Sequence, residues 1–237
     1  MARYDAHPAW RTTPGGRSVL VFIREGTNDH NTAFASLDED EYHLAPLPIT
    51  GHAIDVGGYL GTVALGLLVD HPDLRVTIVE PIPENLALIR LNLESNGVAG
   101  RATIVDGAIG ASAGTLRIHY GFSGDEMREH HAFVGNISLI EGIGPDSCPE
   151  GLPHRHVDAP IVTFSELVRP ETSFVKIDCE GGEWAAFRDP AIRSVPRIHG
   201  EIHPTDGHVR DDLLAFLPDH RVTFAGTAMP TEFQAVR

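Results

Sequence analysis

The stretch HAIDVGGYLGTVALGLLVDHPDLRVTIVE, from His52 to Glu80, decides the fold. It reads as strand, glycine turn, helix and strand, and it ends in an acid, which is the sequence form of a nucleotide-binding βαβ unit. Ala53, Ile54 and Val56 form a short apolar run suited to a strand buried on both faces, and Thr62 to Val69 continues as an apolar helix. Between them, Gly57, Gly58 and Gly61 let the main chain turn sharply and let a ligand come close to it, while the helix start offers unpaired N–H groups. The turn is expected to seat a ligand.

Spacing narrows the choice of ligand. A dinucleotide fingerprint G-x-G-x-x-G needs glycine where Val56 stands, which argues against NAD and leaves an NAD- or nucleotide-binding oxidoreductase as the alternative reading. Asp55 precedes the turn at a strand end, where a carboxylate repels a pyrophosphate and attracts a ligand that is cationic there. S-adenosylmethionine carries a sulphonium and an ammonium. Glu80 is placed to accept hydrogen bonds from the ribose hydroxyls that any adenosine cofactor offers.

Further motifs follow in order: VEPIPENLALIRLNLESN from Val79, VDGAIGASAGTL from Val105, FVKIDCEGGEWAAF from Phe174 and EIHP from Glu201. With IDVGGYLG at Ile54, this ordered set, running from roughly Val19 to His203, resembles the FkbM-type methyltransferases of the class I S-adenosylmethionine-dependent fold. The resemblance implies a Rossmann-like α/β fold with S-adenosylmethionine as cofactor. It implies cofactor contacts from Asp55, Gly57, Gly58, Tyr59, Gly61, Glu80, Pro81, Asn85, Gly107, Ala108 and Asp178, with Asp106 receiving the adenine amino group. Residues 1–50 are then an N-terminal extension packing beside the cofactor site, and residues 51–237 the methyltransferase domain, with an acceptor-site lid at 121–156.

A chain of 237 residues accommodates one domain with a full core. Its 42% hydrophobic and 22% charged content is ordinary for a globular protein, and no apolar run approaches bilayer length, so no membrane partner is expected. The opening MARYDAHPAWRTTPGG lacks the apolar core of a secretory signal, which makes cytoplasmic residence the default expectation. A net charge of −15 and a pI near 5.3 disfavour a grip on a phosphate backbone, so nucleic acid is not the expected substrate. Cys148 and Cys179 have no metal-ligand spacing and read as reduced thiols.

Along the chain, residues 1–16 show no periodicity and are expected to form a mobile lead-in. Ser18 to Ile23 reads as a strand, and Asn28 or Asp29 is placed to cap a helix to Leu37. After Glu80, a helix spans Glu84 to Asn96, and Arg101 to Val105 is the third core strand. Ala113 to Tyr120 alternates as a strand, after which Gly121 to His156 loses regular pattern, the basis for the lid. The lid's His130, His131, His154 and His156 do not make a sufficient metal-ligand set. Val157 to Val162 is read as an edge strand, with Thr163 opening a helical turn. Core strands at Ser173–Ile177 and Val195–Ile202 follow, then a helix over Asp206–Leu217 and closing strands at Arg221–Phe224 and Glu232–Val236. Together these make a doubly wound, mostly parallel seven-stranded sheet whose last strand returns antiparallel.

In such sheets ligands bind beyond the carboxyl ends of the strands. Asp178, Glu180, Glu201 and His203 gather there and form the expected catalytic group for methyl transfer to a hydroxyl of a small-molecule acceptor, a sugar or secondary metabolite. His203 has the unperturbed pKa nearest neutrality and is the expected general base, oriented by Glu201 or Asp178. Asp178, Glu180 and Glu201 also suit a divalent metal such as magnesium, although the reading without a metal is favoured. Lys176, inside an apolar strand, is expected to pair a buried acid, and Trp184 and Phe187 to be core. Periodicity does not specify the oligomeric state.

Overall fold

Apolar residues at every second position of the first strands require a covered face, and the chain supplies the cover at once. The computed structural model describes residues 5–45, 47–121, 137–140, 155–205, 207–227 and 230–237. Strands β1 (Ala6–Thr12) and β2 (Ser18–Arg24) form an antiparallel hairpin in which Ala6 faces Arg24 and Thr12 faces Ser18. This corrects the expectation of a mobile lead-in. Val19, Val21 and Ile23 point into the core, so β2 is fixed by burial, and β1 pairs along its whole edge. Asp70 secures the hairpin turn by accepting hydrogen bonds from Thr13 Oγ1 at 2.6 Å and the Gly15 amide at 2.8 Å.

Helix α1 (Asp29–Ala33) runs directly into a π-helical turn, Phe34–Asp38. Asn28 occupies the cap position without capping by its side chain; its Oδ1 accepts from Asn31 instead. The βαβ unit then appears as expected, with β3 (His52–Val56), α2 (Thr62–Asp70) and β4 (Arg75–Glu80), followed by α3 (Pro83–Ser95) and β5 (Ala102–Asp106). Four strands come next: β6 (Ala108–Ile109), β7 (Thr115–Gly121), β8 (Ile137–Ile140) and β9 (Arg155–Val162). Helix α4 (Phe164–Leu167) starts with a capping box between Thr163 and Glu166, as Thr163 predicted. The chain closes with β10 (Thr172–Ile177), α5 (Glu183–Arg188), β11 (Arg197–Ile202), α6 (Asp212–Phe216), β12 (Arg221–Phe224) and β13 (Thr231–Val236). Helix α6 is shorter than the expected Asp206–Leu217.

The main sheet has the order β12-β13-β11-β10-β3-β4-β5, parallel except for β13, which runs antiparallel to both its neighbours. This is the doubly wound, Rossmann-like seven-stranded sheet that the sequence predicts. Alternation along the strands sends side chains to two cores. Ala53, Val76 and Ile78 pack with α2, α3 and the N-terminal hairpin, whereas Ile54, Val56 and Val79 pack with Trp184, Phe187 and the helices on the other face.

A second sheet, of order β6-β9-β7-β8, stands at the carboxyl edge. It corrects two expectations. The stretch Val157–Val162 is not an edge strand, because β9 lies between β6 and β7. The segment from Gly121 to His156 is not wholly without pattern either, since β8 pairs with β7 and β9 begins at Arg155. The rest of the lid assigned to 121–156, with His130, His131, Cys148 and His154, lies outside the described residues.

Candidate active site

The glycine turn is shaped by contact with β10. Gly57 has φ +79°, and a Cβ there would stand 1.8 Å from the carbonyl oxygen of Asp178, so only glycine lets the two strand ends meet. A Cβ on Gly58 would stand 2.4 Å from Ile78 Cγ2. Lys176 locks the approach from below: its buried Nζ donates to Gly57 O at 2.8 Å and lies 3.5 Å from Asp55 Oδ1. Burial opposes charge on Lys176, but Asp55 and Asp178 outweigh it and raise its pKa. The expected pairing of Lys176 with a buried acid is present.

Above the turn a cavity of about 370 Å³ opens. At one end stands Glu80, buried, whose carboxylate accepts from the Tyr59 amide at 2.8 Å, the Ile82 amide at 3.0 Å and Asn85 Nδ2 at 3.0 Å. Burial raises its pKa, and these donors oppose the rise. Asn85 Oδ1, also buried, has no hydrogen-bond partner among the described residues and belongs to the cavity wall. A buried amide oxygen without a donor favours a ligand that brings an O–H or N–H. The glycine cradle, the fixed carboxylate and this acceptor fit the ribose of an adenosine cofactor.

The N-terminal segment forms part of the same wall through Asn28, Asn31, Ser36, Glu41 and Tyr42. Its anchor is electrostatic. Asp29 is fully buried and receives Arg24 Nε at 2.8 Å and Nη2 at 2.9 Å, a bidentate pair, together with the hydroxyl of Tyr59. Tyr59 has φ +48°, a left-handed conformation that turns its amide toward Glu80 while its hydroxyl reaches Asp29. Separately, Ser36 Oγ donates to Thr62 Oγ1 at the start of α2, at 2.8 Å.

The opposite end is acidic. Asp178, Glu180, Glu201 and Glu41 line it, with Tyr42 donating its hydroxyl to Asp178 Oδ2 at 2.7 Å. Glu180 takes the left-handed conformation at φ +56°, which costs a non-glycine residue on the order of 1 kcal/mol and projects its carboxylate into the cavity wall. Burial and neighbouring carboxylates push Glu180 up to about 8, and Glu201 and Glu41 each to about 7.

His203 does not line the cavity. Its Nδ1 lies 3.2 Å from the fully buried Glu183, which also accepts from the Cys179 and Gly181 amides. Its Nε2 lies 3.4 Å from Glu180 and 3.6 Å from Glu201. Burial opposes charge on this imidazole, but Glu183, Glu180 and Asp178 outweigh it and raise its pKa to about 10. The carboxylates around His203 favour its charged form, which weighs against the role of general base expected of it.

The structure thus brings Gly57, Gly58, Tyr59, Glu80, Pro81, Asn85, Gly107, Ala108, Asp178, Glu180 and Glu201 to one cavity. Asp55 does not reach it. Its fully buried carboxylate lies beneath the turn against Lys176, so it supports the cradle in place of the direct contact expected of it. Gly61 caps α2 and packs on Ile89. Asp106 is exposed at the end of β5, outside the lining, while Gly107 and Ala108 after it line the wall. Tyr42, Asn31 and Lys176 went unassigned as cavity residues. Only Lys176 carried a sequence signal, as a cation inside an apolar strand.

Among the described residues, no helix is long and apolar enough to cross a membrane. The sequence from residue 55 to residue 224 matches the family model described as the methyltransferase FkbM domain. No curated protein matches the sequence. Among solved structures, precorrin-6y C5,15-methyltransferase from Geobacter metallireducens is 16% identical, with 91% of this chain and 92% of that one covered at a TM-score of 0.45. A methyltransferase from Geobacter sulfurreducens is 13% identical, with 85% and 78% covered at 0.48. A putative tRNA (m1A22) methyltransferase from Streptococcus pneumoniae, in complex with S-adenosyl-L-methionine, is 11% identical, with 83% and 70% covered at 0.43.

Proposed function

Because the chain belongs to the FkbM methyltransferase domain family, a family of S-adenosylmethionine-dependent methyltransferases, we propose that it methylates a hydroxyl oxygen of a small molecule, a sugar or secondary metabolite. The observation that carries this reading is one cavity joining a hydrogen-bonded carboxylate beside a glycine cradle to a second group of carboxylates at its far end. Bound S-adenosylmethionine supplies a methyl carbon activated by the sulphonium. Glu80 and Asn85 would hold the ribose, and the Gly57–Tyr59 turn would take the methionine side.

What remains for the protein is to position the acceptor and remove its proton. We assign the proton to Glu180. Glu180 belongs to the cavity wall and meets His203 Nε2 at 3.4 Å, whereas His203 lies outside that wall with both nitrogens turned to carboxylates. The volume of about 370 Å³ suits a cofactor with a small acceptor, and the charge of −15 disfavours a polyanionic one.

Calorimetry tests the cofactor: S-adenosylhomocysteine should bind and NAD should be far weaker, and the reverse order supports the oxidoreductase alternative. Incubation with labelled S-adenosylmethionine and a panel of hydroxylated metabolites tests the acceptor. Methylation of RNA with no hydroxylated metabolite labelled would overturn the small-molecule assignment.

A further inference from the structure

The acidic end of the cavity leaves good ligand atoms without donors. Asp178, Glu201 and His203 each present one nitrogen or oxygen, and these three atoms lie within 4.8 Å of one another. Ligands of a common divalent ion, each about 2.0–2.4 Å from it, stand no more than about 4.8 Å apart. Glu201 accepts no hydrogen bond from a described residue, and Asp178 is engaged through Oδ2 alone, by Tyr42. A proton on His203 Nε2 answers at most one carboxylate oxygen, which leaves several half-buried oxygens unanswered.

The residues behind this group are arranged as those behind metal ligands are. Glu183, fully buried and held by two backbone amides, faces His203 Nδ1 at 3.2 Å. A carboxylate accepts and does not donate, so it holds a proton on Nδ1, and a cation that displaced the Nε2 proton would meet the Nε2 lone pair on the side of Glu180 and Glu201. Tyr42 orients Asp178 in the same manner. Trp184 Nε1, donating to the His203 carbonyl at 2.8 Å, holds the strand end that carries the histidine. Two of the three side chains, Asp178 and His203, therefore have their own support, drawn from two different parts of the chain.

We propose that Asp178, Glu201 and His203 bind a divalent cation of the manganese or magnesium class. Two carboxylates and one imidazole fill three positions and leave others open on the cavity side, where an acceptor hydroxyl would coordinate and become more acidic. That role rests on the methyltransferase reading above; the binding of the ion does not. The reading without a metal, favoured from sequence alone, is the alternative that the test decides.

The test is titration of Mn2+ into the full-length protein, free and loaded with S-adenosylhomocysteine, followed by loss of the free-ion electron paramagnetic resonance signal. Saturable binding of a single ion, displaced by Mg2+, is expected. Glu201→Gln and His203→Asn should each weaken it by at least roughly tenfold, with S-adenosylhomocysteine affinity and thermal melting checked on the same samples. No saturable Mn2+ binding by the wild-type protein overturns the proposal. So does binding that neither substitution weakens, which assigns the ion to surface carboxylates. Mn2+ binding without S-adenosylhomocysteine binding keeps the metal site and sinks the methyltransferase reading; the converse sinks only the metal site.

Discussion

The two ends of the cavity treat their carboxylates in opposite ways. Glu80 stands with three donors from its own neighbourhood, two of them backbone amides, so its position is set before any ligand arrives. At the other end Asp178, Glu180, Glu201 and Glu41 crowd together with few donors, and three of the four are pushed up toward neutrality. Preorganised hydrogen bonding describes a binding site. Carboxylates left short of donors describe a place that is completed by what enters it, an acceptor proton or a cation. The contrast assigns cofactor holding to the first end and chemistry to the second.

The strongest way to break this division is Glu180→Gln. It removes a proton acceptor while keeping the shape, so turnover should fall roughly 10²–10⁴-fold, with S-adenosylhomocysteine affinity nearly unchanged. Equal loss of affinity and turnover would show that Glu180 serves the cofactor, and normal turnover would return the base assignment to Asp178. At the other end, Glu80→Ala should reverse the pattern. Affinity should drop by about 1.5–3 kcal/mol, the range for charge-assisted hydrogen bonds, whereas turnover at saturating cofactor should change less. Unchanged affinity by calorimetry removes Glu80 from the site.

A smaller effect sharpens the boundary between the ends. Tyr59 links the glycine turn to the buried Arg24–Asp29 pair through its hydroxyl. Tyr59→Phe should weaken cofactor binding by about 0.5–1.5 kcal/mol, a part of what a hydrogen bond to a carboxylate is worth, by loosening the N-terminal wall without touching the acids of the far end. A loss of turnover at saturating cofactor would mean that this wall also shapes the acceptor end.

The two ends were also unequally legible. The turn and Glu80 sit within one local βαβ unit, where glycines, apolar runs and a strand-end acid obey fixed spacings, so sequence alone placed them, and the family resemblance added Asn85. Asp178, Glu180 and Glu201 could be placed at the strand edge by topology. The chemistry of His203 could not, because its charge depends on Glu183 and Glu180, whose positions follow from a left-handed backbone at Glu180 that spacing does not reveal. Asp55 misled for a related reason. A strand-end acid resembles a ligand contact until Lys176, more than a hundred residues later, is seen to claim it. The N-terminal hairpin was missed because β1 has little apolar periodicity of its own and is held by pairing with β2.

The last effect lies at the opposite end of β3 from the turn and separates the stability of the sheet from the chemistry of the site. His52 is buried between two hydroxyls, with Nδ1 2.8 Å from Thr172 Oγ1 and Nε2 2.9 Å from Thr77 Oγ1. Burial, aided by Arg169, lowers its pKa to about 4 from the ordinary value of 6.5. In the unfolded chain the ring takes up a proton as pH falls below 6.5, while in the folded protein it stays neutral until about 4. The unfolded state thus binds more protons in that window, so this contribution to stability is full above pH 6.5 and is lost progressively as pH falls toward 4. Melting temperatures measured at pH 7 and pH 5 should show the loss, and His52→Gln, which keeps hydrogen-bonding capacity without titrating, should reduce the difference between them. If wild type and variant lose the same amount, the acid sensitivity of this protein comes from elsewhere, and the crowded carboxylates of the cavity become the groups to titrate next.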